Sequence, residues 1–290
     1  MKNLIKSGMI LLAAVSMLAT SCDQMSDSGN GGKGSVVISL TDAPFPAGLV
    51  DQALVTIDKI EIRAVAPEAT TESEKDNATL YTVLYEGEGK EFDLLDLQNG
   101  VTAELLSYEL EAGSYDMVRL HVASAQVILK DGKGTFDLKV PSGSSSGLKI
   151  KISPELVIEE GIESEVLLDF DVSKSFVVQG NAKTPAGIKG FLFKPTLRAM
   201  CQKYSGIIAG KVSENETTPI VEAHVQIYAA GADTVYSSAL TDKSGMYKLA
   251  GLPAGTYKMV CEKDGYKATT VEQVIVKARE ATTQNITLSK

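Results

Sequence analysis

Apolar and polar residues alternate with a period of two through most of the chain after residue 35. Successive side chains of a β-strand point to opposite faces, so this alternation is typical of strands with one buried face and one solvated face. The clearest runs are SVVISLT, SGLKIKI and EVLLDFDV, with apolar faces Val36, Ile38, Leu40; Leu148, Ile150, Ile152; and Val166, Leu168, Phe170, Val172. Such strands, separated by Gly-, Ser- and Asp-rich turns, predict an all-β sandwich or barrel.

The run LVTIDKIEIR changes the phase of this alternation. Val55 and Ile57 lie on one face of the predicted strand, whereas Ile60 and Ile62 lie on the other. A straight strand would expose one of the two pairs, so the pattern predicts a β-bulge near Asp58 and Lys59. Only residues 94–110 show a hint of helical period, and one short helix is expected there.

A nine-residue pattern occurs twice, as LEAGSYDMV (110–118) and LPAGTYKMV (252–260). In each copy a Leu anchors the end of one strand, a Gly supplies a turn with positive φ, and a Tyr begins the next strand. A Tyr whose hydroxyl bonds backbone a few residues upstream is the tyrosine corner of β-sandwiches. The repeat therefore predicts one corner in each of two sandwiches, formed by Leu110, Gly113, Tyr115 and by Leu252, Gly255, Tyr257.

The segment RAMCQKYSG (198–206) separates two series of strands. We therefore expect two antiparallel, Greek-key-type β-sandwich domains in tandem, over residues 34–201 and 202–290.

The N-terminal segment reads as a bacterial lipoprotein signal. Lys2 and Lys6 precede an apolar run of about a dozen residues, which is shorter than the roughly 20 needed to span a bilayer. Leu18-Ala19-Thr20-Ser21-Cys22 resembles a lipobox, so residues 1–21 are expected to be removed and Cys22 to be lipidated; a plain secretory signal is the alternative. Gly-rich residues 22–33 then form a flexible tether. This predicts a lipid-anchored envelope protein of a Gram-negative bacterium, on the periplasmic face of the outer membrane or the cell surface.

Charge and composition exclude several function classes. The formal charge of −9 becomes −11 without residues 1–21, which disfavours nucleic acid as a partner. Trp is absent, and His121 and His224 are the two imidazoles. In each predicted strand the histidine lies on the face opposite its apolar neighbours. Both histidines are therefore expected to face solvent, and they are expected to lie in different domains. Neither a metal site, a cofactor site nor a catalytic triad is predicted.

The last 86 or so residues resemble a known family. TDKSGMYKL (241–249), GLPAGTY (251–257) and DGY (264–266) occur in the order seen in the carboxypeptidase regulatory-like domain. The resemblance covers about residues 204–290. It implies a transthyretin-like, carbohydrate-binding-like sandwich without a peptidase site, acting as an accessory or binding module, with glycan contact suggested by fold analogy alone.

The N-terminal series also resembles a family. SLTDAP (39–44), FDLLDL (92–97), AGSY (112–115) with VRL (118–120), and KPTLR (194–198) are similar to DUF4382, an uncharacterised domain family common in secreted bacterial lipoproteins. The resemblance covers about residues 34–200 and implies no known activity.

Several polar residues and both cysteines are candidates for sites. Asp42 is expected to close a turn before Pro44, with cation binding as the alternative. Asp169 and Asp171 share a strand face, expected to be solvated, with calcium as the alternative. Asp242 to Gly245 are expected to form a hairpin turn. Cys201 and Cys261 could pair, although burial as a small apolar residue is favoured for Cys261.

Two surface features bear on ligands. Tyrosines are the candidates for a weak sugar-stacking platform: Tyr108, Tyr228, Tyr236 and Tyr266. Asp233-Thr234-Val235 resembles the acceptor of some Gram-negative O-glycosylation systems, which makes Thr234 a candidate modification site.

The favoured function is a non-catalytic binding or scaffolding module for glycans or a protein partner. The alternatives are a carboxylate-based glycan-processing enzyme with a cleft in the N-terminal domain, and a purely structural, adhesin-like subunit. Unpaired edge strands would favour the structural alternative.

Overall fold

The computed structural model describes residues 32–43, 48–66, 71, 77–130, 134–141, 146–181, 184–215 and 217–290. The predicted signal peptide, Cys22 and all of the tether up to residue 31 therefore lie outside the described residues. Within the described part the chain is almost entirely β, which confirms the expected fold class.

The strands up to Cys201 form what is called here the N-terminal body. Its strands are β1 (Lys33–Ala43), β2 (Val50–Ala64), β3 (Tyr81–Asp93), β4 (Ala103–Glu111), β5 (Gly113–Leu129), β6 (Thr135–Leu138), β7 (Leu148–Ile158), β8 (Glu163–Asp171), β9 (Phe176–Gly180), β10 (Ile188–Phe193) and β11 (Leu197–Cys201). One helical turn, α1 (Val172–Ser175), follows β8 in the described chain, and short 3₁₀ turns span Ala78–Leu80, Leu94–Leu97 and Pro185–Gly187.

A nine-stranded sheet curls around the core of this body in the order β3-β2-β5-β7-β11-β8-β1-β4, with β6 paired to β5. β9 and β10 form a separate two-stranded sheet. The pairs β1–β8 and β7–β11 are parallel, so the sheet is mixed although antiparallel pairing predominates. Two strands that pair in parallel must be joined by a long connection that crosses back over the sheet. The period-two pattern of a strand does not show which other strand it pairs with.

The phase change in β2 is a bulge, as predicted. The pairing register shifts between Ile57 and Lys59 on both sides of the strand. Val55 and Ile57 before the shift, and Ile60 and Ile62 after it, are all buried. The predicted helix is confined to the 3₁₀ turn Leu94–Leu97, because residues 103–111 form β4.

The strands from Ser205 onwards form the C-terminal body. They are β12 (Ser205–Ser213), β13 (His224–Ala229), β14 (Ser237–Leu240), β15 (Met246–Pro253), β16 (Gly255–Glu262), β17 (Thr269–Val276), β18 (Ala281–Thr283) and β19 (Ile286–Thr287). They build two facing sheets, β15-β12-β18 with β19 also on β12, and β14-β13-β16-β17. β18 and β19 run parallel to β12.

The turn at Asp242 connects these two sheets, so the expectation of a hairpin is wrong. β14 and β15 belong to different sheets. Asp242 Oδ1 accepts hydrogen bonds from the backbone N–H groups of Ser244 (2.8 Å) and Met246 (2.9 Å), and Gly245 has a φ of +75°. The Asx-type bonds and the left-handed glycine redirect the chain across the sandwich.

Each body has its own apolar core, although residues Gly31–Lys290 form one compact unit. In the N-terminal body, Phe170, Phe176 and Phe193 pack with ring centroids 5.0–6.4 Å apart. In the C-terminal body, Tyr247 and Met259 are fully buried between the two sheets. The division into domains 34–201 and 202–290 stays a prediction.

Candidate functional site

The two bodies meet along a contact surface called here the seam. β11 ends at Cys201, a 3₁₀ turn spans Gln202–Tyr204, and β12 begins at Ser205, so three residues connect the bodies. Backbone bonds fix this connection, from Ala254 N–H to the carbonyl of Tyr204 (3.3 Å) and from Arg279 N–H to that of Ser205 (2.7 Å). The connection is therefore too short and too well bonded to act as a flexible linker.

Two acid–base pairs of the N-terminal body lie side by side at the seam, and the cation of each binds a carbonyl of the C-terminal body; the two pairs are called here the ladder. Asp169 holds the Arg198 guanidinium, which donates to the carbonyl of Tyr236 and lies 4.4 Å from the Tyr236 ring centroid. Two residues further along β8, Asp171 holds Lys174 at 2.7 Å. Lys174 Nζ donates to the carbonyl of Val235 at 3.3 Å. Consecutive carbonyls of the C-terminal body are thus bound by cations of the N-terminal body.

The Asp169–Arg198 pair is expected to stabilise the seam more than the Asp171–Lys174 pair. The Lys174 side chain is 48% exposed, and ion pairs of such groups contribute about 0–1 kcal/mol. The Arg198 side chain is 28% exposed and combines an ion pair, a carbonyl bond and a ring contact. Burial raises the pKa of Asp169, and Arg198 opposes that shift. Burial alone would also raise the pKa of Asp171, but hydrogen bonds from Lys174 and Ser173 bring it below the usual value.

The expectation that Asp169 and Asp171 face solvent is wrong. Asp171 is buried, Asp169 is largely so, and their strand also buries Leu167 on the same face. The C-terminal body covers this face, because Leu167 lies against Gly251 of β15. The apolar Leu167 among acids was a signal in the sequence that this face is covered, and it was missed, as were the roles of Arg198 and Lys174.

A cleft of about 810 Å³ opens along the seam beside Tyr204 and is called here the Tyr204 cleft. The N-terminal body contributes Val157 of β7 and the turn that follows it, including Glu159 and Ile162. The C-terminal body contributes Lys248 and Arg279. Ile162 is 52% exposed, so this cleft presents apolar as well as charged surface.

A second cleft, of about 770 Å³, is called the Tyr266 cleft. Its lining from the N-terminal body includes Asp51, Gln98 and Lys130, and that from the C-terminal body includes His224, Glu262, Asp264 and Tyr266. His224 lines this cleft and is half-buried, so it is less exposed than the sequence predicted. Burial lowers the pKa of His224, while the nearby Glu262 opposes that shift. Polar groups of both signs therefore converge on one concave surface.

His121 lies in a buried charged cluster of the N-terminal body, and not on the surface as expected. Its ring is 6% exposed, and Nε2 lies 3.0 Å from Glu61 Oε2. Lys59 and Arg119 approach the same carboxylate at 3.4 and 3.5 Å. The chain at Gly147 packs over the ring, where an added Cβ would come within 2.8 Å of Nε2. The alternation of polar and apolar residues in β5 could not predict that another segment of the chain covers His121.

Both predicted tyrosine corners have the same geometry. The Tyr115 hydroxyl donates to the carbonyl of Glu111 at 2.9 Å, and the Tyr257 hydroxyl donates to that of Pro253 at 2.8 Å. Leu110 and Leu252 are buried beside them. The expected positive φ is wrong for Gly255, and at Gly113 φ is +158°, close to extended. Space does not require Gly255 either, since an added Cβ would lie 3.9 Å from the nearest described atom.

Removing either corner hydroxyl is expected to destabilise the protein. Tyr115→Phe and Tyr257→Phe should each lower the free energy of unfolding by about 1–2 kcal/mol, because a carbonyl at a covered strand end loses its donor. Urea unfolding of each variant measures this. Tyr108→Phe, on an exposed tyrosine of β4, is the control and should be neutral. Equal stability of all four proteins would contradict a structural role for the corners.

The remaining candidates lie apart from one another. Asp42 Oδ1 accepts from Val172 N–H at 3.1 Å, linking β1 to α1, while Pro44 lies outside the described residues. Cys201 and Cys261 are free and buried in different cores, and burial raises their thiol pKa values to about 11 and 12. Thr234 is exposed between β13 and β14.

The four candidate tyrosines do not form one platform. Tyr236 lies in the seam, and Tyr266 lines the Tyr266 cleft. Tyr228 is covered by Lys258, whose Nζ is 4.6 Å from the ring centroid, and Tyr108 lies on β4. In the described ranges no group of three or more His, Cys, Asp or Glu side chains is placed to hold a metal ion. Among the described residues, no helix has the combined length and apolar character that crossing a membrane requires.

Fold and seam together define a two-body, all-β protein. The chain belongs to the family described as "Domain of unknown function (DUF4382)", whose model matches residues 33–195, and residues 207–289 match the model of the carboxypeptidase regulatory-like domain. Both resemblances expected from the sequence are thereby confirmed. The match to the carboxypeptidase regulatory-like domain fits a non-catalytic binding or structural module.

Similarity to individual proteins is low. The Bacillus anthracis TIE protein is 14% identical with a TM-score of 0.26, covering 89% of this chain and 35% of its own. A putative carbohydrate binding protein from Bacteroides uniformis is 17% identical with a TM-score of 0.24, covering 28% and 40%. The minor pilin GBS52 of Streptococcus agalactiae is 10% identical with a TM-score of 0.23, covering 88% and 95%. The chain thus spans well under two thirds of the first two, and TM-scores of this size carry no functional argument. No curated protein matches the chain significantly.

Proposed function

We propose that the protein is a non-catalytic binding module, held to the cell envelope by lipid at Cys22, whose ligand contacts the seam. The observation that carries this proposal is that both seam clefts are lined by both bodies. Ligand sites form preferentially at such junctions, and volumes near 800 Å³ lie within the usual range of roughly 300–1,000 Å³.

The Tyr266 cleft has the chemistry to hold a polar, hydroxyl-rich ligand such as a glycan. Carboxylates of Asp51, Glu262 and Asp264 accept hydrogen bonds from sugar hydroxyls, and Lys130 donates to ring or carbonyl oxygens. Tyr266 is half-buried at its edge, with its hydroxyl 3.2 Å from Glu214 Oε2. The aromatic ring and the ring of polar groups together provide orientation.

A protein partner is the second candidate and is favoured by the Tyr204 cleft. Val157 and Ile162 are exposed at its rim, and apolar side chains surrounded by charges are common in protein interfaces.

Charge reversal in each cleft tests which one binds. The chain from residue 23 onwards, without the anchor, is screened on glycan arrays and in pull-downs from envelope extracts. Glu262→Arg with Asp264→Arg should abolish glycan binding, because two acceptors become bulky cations. The matched control, Glu163→Arg with Glu165→Arg in the Tyr204 cleft, should retain glycan binding and lose a protein partner. Absence of any ligand for the folded wild type would contradict the binding proposal.

The anchor is tested independently of the ligand. The lipobox-like segment ending at Cys22 supports lipidation, and the predicted tether, residues 22–33, would then link the lipid to β1. Metabolic labelling with a fatty-acid analogue should mark the wild type and spare Cys22→Ala. Equal labelling of both proteins would contradict lipidation at Cys22.

A further inference from the structure

One long stretch of the chain carries only positive charge. In a chain whose formal charge is −9, residues 172–213 contain no Asp or Glu. Their cations are Lys174, Lys183, Lys189, Lys194, Arg198, Lys203 and Lys211. Two of them belong to the ladder, and Lys203 lies 3.3 Å from Glu159. By contrast, Lys189 lies on β10 and Lys194 directly after it, and both are exposed.

The small sheet formed by β9 and β10 is held to the N-terminal body by its inner face. Phe176 of β9 and Phe193 of β10 are both 2% exposed, with ring centroids 5.0 Å apart. Phe191 of β10 is also buried and packs edge-on against Phe136 of β6, at 5.3 Å between centroids. Aromatic packing on the inner face therefore gives the outer face of this sheet a firm support.

The outer face of the β9–β10 sheet presents an apolar pair beside these lysines. Val177 and Leu192 are cross-strand partners and are 41% and 42% exposed. Single exposed apolar residues are common, but two that lie directly opposite each other form one continuous apolar surface. The pairing register shifts between Ile188 and Gly190, so Lys189 is the extra residue of a bulge. Along β10, Leu192 thus lies between a lysine in the bulge and a lysine at the end of the strand.

We infer that the outer face of the β9–β10 sheet is a contact site for the surface of an anionic phospholipid bilayer. Headgroup phosphates attract nearby lysines, and a small apolar pair can enter the boundary between headgroups and acyl chains. A protein partner fits less well, because specific protein interfaces bury about 800 Å² on each side and this face offers one exposed apolar pair. A sugar fits less well too, since the aromatic rings of β9 and β10 are all buried.

The inference rests on the proposed function in one respect, which is that lipid at Cys22 brings the chain to a membrane. The lipid then supplies the attachment, and the β9–β10 sheet determines which surface of the N-terminal body faces the bilayer. The negative charge of the rest of the chain favours the same orientation, because anionic lipid repels acidic surfaces.

An introduced tryptophan can report this contact, because the chain contains no Trp. The chain from residue 23 onwards, with an N-terminal histidine tag, is attached to vesicles of brominated phosphatidylglycerol that contain a nickel-chelating lipid. Fluorescence of Leu192→Trp should be about twofold lower, or less, than on the same vesicles without bromine, and about 0.5 M salt should restore it. Ile275→Trp, at a 58% exposed position of β17, is the matched control and should be unaffected.

Charge reversal tests the role of the lysines. Adding Lys189→Glu and Lys194→Glu to Leu192→Trp should remove the quenching. Adding Lys243→Glu and Lys277→Glu, at two exposed lysines of the C-terminal body, changes the net charge equally and should preserve it. If Leu192→Trp does not fold, Val177→Trp on the paired strand should give the same results.

Absence of quenching in the folded reporters, equal quenching on brominated phosphatidylcholine, or quenching that survives reversal of Lys189 and Lys194 would each overturn the inference. A spectral shift of Leu192→Trp with polyglutamate but not with vesicles would assign this face to an acidic protein, and would overturn it as well. Because the histidine tag replaces the lipid, none of these results depends on Cys22. Failure of the fatty-acid labelling would therefore remove the anchor and leave the bilayer contact standing.

Discussion

Replacing Gly210 with alanine is expected to lower the free energy of unfolding of the C-terminal body by about 3 kcal/mol. A Cβ at this position would lie 1.9 Å from the carbonyl oxygen of Gln284 and 2.6 Å from its carbon. That carbonyl cannot move aside freely, because it accepts the hydroxyl of Tyr247 at 2.5 Å and the adjacent N–H of Gln284 donates to Ala209 at 2.9 Å. The added methyl group must therefore push apart β12 and the chain between β18 and β19.

Gly255→Ala is the matched control for this prediction. It also adds a methyl group to a strand glycine, but here no described atom comes closer than 3.9 Å. Urea unfolding should show a large loss for Gly210→Ala and a change within about 0.5 kcal/mol for Gly255→Ala. Similar losses in both variants would show that close approach at Gly210 is not the cause.

Glu61→Ala is expected to lower the free energy of unfolding by about 3 kcal/mol, through the N-terminal body. The buried carboxylate is shared by Lys59, Arg119 and His121. Truncation removes this common anion from a cluster that has little access to water, which is costlier than losing an exposed pair. Glu109→Ala, on an exposed residue of β4, is the control and should be nearly neutral. A loss below about 1 kcal/mol for Glu61→Ala would mean that the cluster is effectively solvated.

The same carboxylate predicts a pH dependence. Burial alone would raise the pKa of Glu61, but His121, Lys59 and Arg119 bring it below the usual 4.5. A carboxyl group with a lowered folded-state pKa stabilises the protein fully above pH 4.5 and loses that contribution as the pH falls through the folded value. Wild-type stability should therefore fall below pH 4.5, and Glu61→Gln should fall less steeply over the same interval. Parallel curves in chemical denaturation would contradict this assignment.

The seam shows why a correctly predicted strand was assigned the wrong solvent exposure on one of its faces. Alternation in β8 placed Val166, Leu168 and Phe170 on the core face, and all three are buried. It also placed Asp169 and Asp171 in solvent, because a period of two separates the faces of a strand without indicating what covers each face. The second body covers the acidic face. Arg198 and Lys174 of the first body pair with the two acids and also bind carbonyls of the second body, which makes that burial tolerable.

The glycines show the same limit at the level of single residues. The repeated pattern drew attention to Gly113 and Gly255, where the structure leaves room for a side chain. Gly210 belongs to no repeat, yet another segment of backbone passes so close to it that an added Cβ would lie 1.9 Å from the carbonyl oxygen of Gln284. The residues next to a glycine in the sequence indicate whether it lies in a turn. The approach of residue 284 to residue 210, by contrast, depends on the parallel pairing of β18 and β19 with β12, which are far apart in the chain.

The sequence by itself determined the all-β class, the bulge in β2, the corner tyrosines and the two family resemblances. These features depend on local periodicity and short motifs, which act over a few residues of chain. Only the tertiary structure decided that β8 is covered on both faces, that His121 and Glu61 share a buried cluster, and that two clefts open along the seam. Those features depend on which distant surfaces meet, and contacts between residues far apart in the chain leave little trace in any single stretch of sequence.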